Sequence, residues 1–164
     1  MSDTPEVPIR ISCTSGVARV IVKTISLDKD SKAPVMILTD ANELMYLPIW
    51  IGKFEADAIL AAMEGNVNPR PMTYDLFRSA LDAFSAIVLK ATITELKETT
   101  YYARLLLSRD GKEIDLDSRP SDAIAMALRF NAPIFVAESV LQSASIPDKV
   151  KCLSLHPDGQ VILG

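Results

Sequence analysis

Histidine and cysteine are scarce in this sequence. His156 is the one histidine, and the two cysteines, Cys13 and Cys152, lie near opposite ends of the chain. Cysteines at this separation form neither a metal-ligand cluster nor a disulfide framework, so we expect free thiols in a reducing compartment. His156 belongs to no periodic element and is expected in a solvated loop. A Ser-His or Cys-His nucleophilic apparatus within one chain is therefore excluded.

Familiar catalytic and cofactor-binding motifs are missing as well. The chain has no glycine-rich phosphate loop and no G-x-S-x-G, H-E-x-x-H or C-x-x-C motif. It has no apolar run near the ~18 residues that span a membrane, and its N-terminus lacks the basic and apolar regions of a signal peptide. These absences predict a soluble cytoplasmic protein without a membrane partner. Any hydrolysis would have to rely on carboxylates, hydroxyls, arginines and a metal ion.

Positive charge is outweighed by negative charge. The 17 Lys and Arg residues face 21 Asp and Glu residues, for a formal net charge of −4. This balance argues against a protein that coats nucleic acid or anionic membrane with a basic surface. It leaves open an enzyme that meets phosphates through a local basic patch or a bound metal ion. The 49% hydrophobic and 23% charged residues are typical of a globular protein, and 164 residues correspond to about one domain.

The apolar pattern predicts an α+β fold with three helices. Short polar turns between β-branched runs favour antiparallel pairing. Pro48 indicates an edge position or a bulge, and Asp110-Gly111 is a hairpin signal. Helices are predicted at Lys53–Gly65, from Thr73 onward, and from Ser118–Asp122 to near Asn131. Strands are predicted at Val17–Leu27, Pro34–Thr39, Leu44–Ile51, Ala86–Leu96, Tyr101–Ser108, Glu113–Asp117, Pro133–Ala137 and Val161–Leu163.

Apolar residues at helical spacing predict which helix faces meet the core. In the first helix they are Phe54, Ala58, Ile59, Ala62 and Met63. In the second helix they are Leu76, Phe77, Ala80, Leu81 and Phe84. Apolar residues outside these stripes indicate either oligomer contacts or a second core layer, and they are Leu60, Ala61, Ala125 and Met126.

The chain contains an internal similarity. Asp57–Met63 resembles Asp122–Leu128 at an offset of 122 − 57 = 65 residues, and the predicted strands match in order on both sides. We interpret this as two β-β-β-α units joined through the helix at Thr73, with helices packed on a largely antiparallel or mixed sheet. Chance similarity between two alanine-rich helices is the alternative. We expect a flexible lead-in at 1–16, one domain at 17–142 and a C-terminal extension at 143–164.

The first polar cluster opens the first helix. At 100° per residue, Glu55 lies on the side of the predicted core stripe, whereas Asp57 points away from it. The helix dipole favours a carboxylate in the first turn, but burying one without a partner is costly. Glu55 is therefore either a boundary residue or a functional acid.

The second cluster precedes the second helix. Pro69 and Pro71 stiffen the loop around Arg70 and direct its side chain. Thr73 is predicted to cap the helix, and Asp75 in the first turn complements the dipole. Capping explains Thr73 and Asp75, but it does not explain Arg70.

The third cluster joins a strand to the third helix. Asp115 and Asp117 are expected on one side of the strand, about 7 Å apart, close enough to share a cation or to pair with arginine. Ser118 or Ser121 is predicted to cap the helix, whose first-turn amides form an anion site. Arg119 adds a fork suited to phosphate or carboxylate. The alternative is a well-capped helix with an Asp–Arg pair.

These clusters also carry a resemblance to a known family. The string D-S-R-P-S-D-A at Asp117–Ala123 is the most specific of five motifs that occur in order over Val17–Leu141. Together they resemble the bifunctional nuclease domain family of bacteria and plants. The resemblance implies a duplicated α+β domain, a homo-oligomer and cleavage of both RNA and DNA. The other motifs are Leu47–Gly52 with Glu55, Arg70–Leu76, Tyr102–Arg104 and Ala132–Val136.

The resemblance leads to a hypothesis for the site. We expect a phosphodiesterase that depends on Mg or Mn, with nucleic acid as substrate and not as stable partner. Where this family commonly has histidine the chain has Tyr74, a poor base at neutral pH. The alternative is a non-catalytic regulatory module that binds a small anion. The expected catalytic groups are Glu55, Asp117 and Asp122, with Glu55 and Asp117 as metal ligands, Arg70, Ser118, Arg119 and Ser121 as phosphate contacts, and Thr73, Tyr74 and Asp75 in support.

Overall fold

The computed structural model describes residues 16–147, 154–155 and 161–162. The predicted strands and helices agree closely with the observed ones. Where the sequence predicted the first or last residue of an element, that residue differs from the observed one by one position at most, except at the start of the third helix. In chain order the elements are β1 (Val17–Leu27), β2 (Pro34–Thr39), β3 (Met45–Trp50), α1 (Lys53–Glu64), α2 (Thr73–Ala83), β4 (Ala86–Lys97), β5 (Thr100–Arg109), β6 (Lys112–Ser118), α3 (Pro120–Phe130), β7 (Ile134–Ala137), α4 (Glu138–Ala144), β8 (Ile146–Pro147), β9 (Ser154–Leu155) and β10 (Val161–Ile162).

Local turn chemistry accounts for several of these bounds. Asp110 and Gly111 both have positive φ, as the predicted hairpin requires. α1 ends at Gly65 and α3 ends at Asn131, each in the left-handed conformation. The order β-β-β-α occurs on both sides of α2. An origin of this order by duplication stays a prediction.

The first eight strands form a mixed sheet in the order β6-β5-β4-β7-β1-β2-β3-β8, and β9 pairs with β10 in a separate two-stranded sheet. β4 and β7 are parallel, and the other pairs in this sheet are antiparallel, which confirms the predicted α+β class. β8 pairs only with Met45 and Tyr46 of β3, so Pro48 lies where β3 is an edge among the described strands. The first part of β1 pairs with β7 and the rest with β2, so this strand joins the two halves of the sheet.

The centre of the fold is α3. Its residues Ala123–Ala127 are all buried, which makes the middle of this helix apolar on every side. It contacts α1, α2, β4 and β5, and its alanines allow these neighbours to approach closely. Ala125 and Met126 therefore belong to a core layer, and their alternative assignment to an oligomer contact is wrong.

The predicted apolar faces of α1 and α2 are partly wrong. Phe54 is 83% exposed and Leu76 is 63% exposed, and α2 has no fully buried residue. The physical reason is that α3 occupies the space over the sheet, so that α2 packs only on the flank of α3 and β4. Three further members of the predicted stripes are also exposed, namely Met63, Phe77 and Phe84. Met72, just before α2, is exposed as well.

The predicted serine and threonine caps are wrong as well. The N-cap of α2 is Met72, whose N–H donates to Asp75 Oδ2 at 3.0 Å, and Thr73 is the first helical residue. The N-cap of α3 is Arg119, followed by Pro120. Proline at the first helical position has no N–H to be capped and already has helical φ, so neither Ser118 nor Ser121 serves as the cap.

Several sequence expectations concern the ends of the chain. Cys13, Cys152, His156 and all of the lead-in except Gly16 lie outside the described residues. The short helix α4 was not predicted, because seven residues carry too little periodicity. It runs across the expected boundary at residues 142 and 143. None of the described helices has the length and apolar character needed to span a bilayer.

Candidate functional site

Predicted site residues from three helix starts meet in one pocket. We call it the helix-start pocket, with a volume of about 560 Å³. The beginnings of α1 and α2 contribute two walls, and the N-cap and one face of α3 contribute the third. Its lining residues are Phe54, Glu55, Asp57, Ala58, Ala61, Asn68, Met72, Thr73, Tyr74, Arg119, Asp122 and Arg129.

Arg119 is the centre of the polar network in this pocket. Its Nε and Nη2 donate to the two oxygens of Asp122 at 2.7 and 2.9 Å, and Nη2 lies 2.9 Å from Glu55 Oε1. The hydrogen bonds and charge of Asp122, followed by those of Glu55, raise the pKa of Arg119 above its usual value. Nη1 keeps two N–H groups without a hydrogen-bond partner among the described residues. The network therefore fixes the Arg119 guanidinium and leaves its Nη1 free to bind an anion.

Tyr74 supports the carboxylate that holds Arg119. Its hydroxyl donates to Asp122 Oδ1 at 2.6 Å, across 48 residues of sequence. Burial, followed by the hydrogen bond to Asp122, raises the pKa of Tyr74 above its usual value. The residue is therefore protonated at neutral pH and acts as a hydrogen-bond donor, not as a base.

Glu55 lies against the backbone at the start of α1. Its side chain is only 18% exposed, which confirms the expectation that it points inward, whereas Asp57 is exposed and pairs with Lys53. The N-cap of α1 is Gly52, and a Cβ atom there would lie 2.1 Å from Glu55 Oε2. Glycine at this position leaves room for the glutamate to fold back toward Arg119.

We expect Gly52→Ala to displace Glu55 without damaging the fold. Gly52 has φ −72° and ψ 157°, which alanine adopts readily, so the clash falls on the end of a flexible side chain. The melting temperature should change by no more than about 3 °C, while hydrolysis or anion binding at Arg119 falls about tenfold. In a Glu55→Ala background the same substitution should have no further effect. Equal losses in both backgrounds would contradict the proposed clash.

Arg129 has a buried side chain that connects three helices, and the sequence did not predict its role. Its side chain is 8% exposed, and its Nε donates to Asp75 Oδ1 at 2.8 Å. Nη1 donates to the carbonyl oxygens of Ala58 and Ala125 at 3.2 and 3.0 Å, and the guanidinium lies 5.4 Å from the centroid of the Tyr74 ring. One side chain thereby joins α1, α2 and α3.

The helical spacing between Asp122 and Arg129 is the sequence signal that could have placed Arg129 at the site. Arg129 follows Asp122 by seven residues, which is close to two turns, so both lie on one face of α3. Its partner Asp75 lies in the first turn of α2 and complements the helix dipole as expected, and it also pairs with the Arg129 guanidinium. Sequence alone does not place that cation, since it comes from 54 residues further along the chain.

The pairing with Arg129 predicts a pH-dependent stability. The hydrogen bond from Arg129 lowers the pKa of Asp75 below its usual value. A lowered native pKa stabilises the fold fully above the unfolded-state pKa of about 3.9, and the effect is lost as the pH falls through the native value. The melting temperature of wild type should therefore exceed that of Asp75→Asn at pH 7, and the two should converge as the pH falls through the lowered native pKa of Asp75. A gap that stays constant over this range would contradict the linkage.

Asp117 lies outside the network around Arg119. Arg104 pairs with Asp115 at 3.1 Å and with Asp117 at 3.7 Å, which matches the expected Asp–Arg pairing on one side of the strand. Asp117 is exposed and does not line the helix-start pocket. The structure thus brings Glu55, and not Asp117, together with Arg119.

The remaining predicted phosphate contacts are also dispersed. Arg70 is exposed on the loop before α2 and forms no ion pair or hydrogen bond among the described residues. Ser121 is buried, and the Ser118 Oγ is buried without a hydrogen-bond partner in the described part of the chain. Thr73 lines the helix-start pocket beside Tyr74.

The donor arrangement does not match the expected metal ligands. Glu55 Oε1 and both oxygens of Asp122 face Arg119, while Asp117 faces Arg104. A cation between Glu55 and Asp122 would have to replace the Arg119 guanidinium. Metal dependence stays a prediction.

Comparison with known proteins identifies the family of this chain. The family model of the bifunctional nuclease domain matches residues 36–149. An uncharacterized protein of Mycobacterium tuberculosis is 42% identical over 132 residues, 79% of each chain. Bifunctional nuclease 1 of Oryza sativa subsp. japonica is 36% identical over 107 residues, which cover 63% of this chain and 32% of the plant protein. Bifunctional nuclease 1 of Arabidopsis thaliana is 32% identical over 107 residues, covering 63% of this chain and 33% of its own. The chain thus spans about a third of these plant relatives, and it belongs to the bifunctional nuclease domain family.

Proposed function

We propose that this protein is a nuclease that hydrolyses phosphodiester bonds of RNA, DNA or both in the helix-start pocket. The observation that carries the proposal is Arg119, a fixed cation with one free edge beside Glu55. The name of the plant relatives, bifunctional nuclease, supports the same activity.

Arg119 supplies the phosphate contact in this proposal. A phosphodiester carries one negative charge, and further charge develops on its oxygens as the nucleophile attacks. The N–H groups that remain on Nη1 can donate to a phosphate oxygen, and Asp122 fixes the plane of the guanidinium. Because Asp122 uses both of its oxygens on Arg119 and Tyr74, its role is to position the arginine.

Glu55 is the proposed proton acceptor. Its carboxylate takes a proton from water or from a ribose 2′-hydroxyl, and the resulting oxygen attacks phosphorus. The bond between phosphorus and the leaving oxygen breaks, and the protonated Glu55 returns its proton to that oxygen. Tyr74 is not needed as a base, which accounts for its place at the position where the family commonly has histidine.

The test is cleavage of labelled single-stranded RNA and DNA by purified protein. We expect cleavage to co-elute with the protein and to fall at least tenfold in Glu55→Gln. Parallel reactions with Mg, Mn or a chelator decide the expected metal dependence separately. Equal activity of wild type and Glu55→Gln would identify a contaminant and refute the proposal.

A second candidate function is a non-catalytic module that binds a small anion. It is favoured by the neutralisation of Glu55 and Asp122 by Arg119, which leaves little free negative charge for catalysis. Calorimetric titration with inorganic phosphate, together with the cleavage assay, distinguishes the anion-binding module from the nuclease. Saturable binding without any cleavage of RNA or DNA would support the module.

We also propose that the protein is a cytoplasmic homo-oligomer. The exposed side chains of Leu76, Phe77 and Phe84 leave α2 with an apolar outer side. Burying this side against a second copy would remove it from water. Sedimentation should then show a species larger than 17.9 kDa, and Leu76→Lys should shift it toward the monomer.

A further inference from the structure

A second pocket lies beyond the Glu55–Arg119 ion pair. It has a volume of about 370 Å³, and we call it the strand-end pocket. Four strands separate β3 from β5 in the sheet order, so the sheet curls to bring the two together here. The lining comes from the end of β3, the turn between β4 and β5 and the start of α3, namely Ile49, Trp50, Ile51, Gly52, Thr99, Thr100, Tyr101, Arg119, Pro120 and Ser121.

Arg119 is shared by the two pockets. It lines both of them, and the Glu55 side chain that it binds lies over Gly52, which lines the strand-end pocket. The Glu55–Arg119 ion pair thus lies between the two pockets. A linear ligand that contacts Arg119 can extend from one pocket to the other.

The two pockets differ in charge. The helix-start pocket has three carboxylates, Glu55, Asp57 and Asp122, against two arginines. In the strand-end pocket Arg119 is the single charged residue among the described lining residues. The other lining groups are aromatic, aliphatic and hydroxyl-bearing. This composition suits a flat aromatic ligand that is attached to an anion.

Trp50 is the most exposed aromatic surface in the strand-end pocket. Its side chain is 49% exposed at the end of β3, and Tyr101 contributes a half-buried ring beside it. Hydrogen bonds from the backbone and hydroxyl of Ser31, and to a smaller extent from the Trp50 side chain, keep the pKa of Asp28 below its usual value. The exposed indole ring offers a flat face for stacking.

We propose that the strand-end pocket binds one nucleobase of a single-stranded nucleic acid, stacked on Trp50, while Arg119 binds the adjoining phosphate. This inference rests on the proposed function, because it places a second part of the same substrate. Base stacking on aromatic side chains tolerates any sequence, since every base has a π-face. The pocket would therefore give affinity for single strands without sequence specificity.

Trp50 provides its own readout, because it is the one tryptophan in the chain. With a chelator present to remove any metal-dependent cleavage, we expect single-stranded DNA and AMP to quench the tryptophan fluorescence saturably, and AMP has no phosphodiester bond that the protein could cleave. Inorganic phosphate alone should not quench it. By fluorescence anisotropy, Trp50→Ala should bind labelled single-stranded DNA about 5- to 100-fold more weakly, whereas Trp50→Phe keeps most of the affinity.

Tyr102→Ala is the matched control, because Tyr102 is an exposed aromatic residue outside both pockets. It should bind DNA as wild type does. Should Trp50→Ala fail to fold, the wild-type fluorescence titration still decides the question. Cleavage of DNA without any change in Trp50 fluorescence would overturn this inference and leave the nuclease proposal standing. Quenching by nucleotides without cleavage would support the pocket and refute the nuclease.

Discussion

Replacing Arg119 by alanine is expected to lower the rate of phosphodiester hydrolysis about 10²- to 10³-fold. The change removes the N–H donors that face the phosphate, and the loss of one such donor has an effect of this size in other hydrolytic sites. It also leaves Glu55 and Asp122 close together without the cation that both contact. Measured as kcat/KM on single-stranded RNA and DNA, the loss should therefore be the largest of any single substitution in the helix-start pocket.

Two further variants make this result specific. Arg119→Lys keeps the positive charge but loses the planar fork, so it should recover only part of the lost activity. Arg109→Ala removes an arginine that pairs with Asp110 and contacts Phe84, outside both pockets, and should leave the activity unchanged. If Arg119→Ala retained more than about half of the wild-type kcat/KM, Arg119 would have no place in catalysis.

Replacing Arg129 by alanine is expected to destabilise the fold by about 2–3 kcal/mol. Removing one member of a buried ion pair usually costs more, but Asp75 is partly exposed and keeps contact with water. The carbonyl oxygens of Ala58 and Ala125 also lose a donor, and the Tyr74 ring loses its cation. For a chain of this size the melting temperature should fall by roughly 5–10 °C.

Arg109, which is exposed, also serves as the control for stability. Arg109→Ala should change the free energy of unfolding by no more than about 0.5 kcal/mol, because an exposed ion pair contributes little. The double variant Asp75→Asn with Arg129→Ala should be less destabilised than the sum of the single variants. Strict additivity in this cycle, measured by urea unfolding, would show that the two side chains do not interact.

Local sequence patterns predicted most of the elements of this fold. The strands follow β-branched runs bounded by polar turns, and Asp110-Gly111 and Gly65 mark positions where the backbone takes positive φ. Such signals depend on residues that are neighbours in the chain, so one sequence contains them. The placement of Glu55 on the inner side of α1 follows from the same helical period.

The helix faces show the limit of that reasoning. Periodicity states which residues share a side of α2, but it does not state whether another element covers that side. In the structure α3 covers the sheet, and Leu76 and Phe77 remain exposed. Coverage depends on the packing of elements that are distant in sequence.

The scarcity of histidine, the acidic balance and the polar clusters were properties of the sequence alone, and they limited the chemistry to carboxylates, hydroxyls and arginines. Which of these groups meet was decided only by the tertiary structure. Tyr74 contacts Asp122 across 48 residues, whereas Asp117 turns from the expected site to Arg104. The physical reason is that spacing along one element determines the direction of a side chain, while its partner is determined by how α1, α2 and α3 pack together.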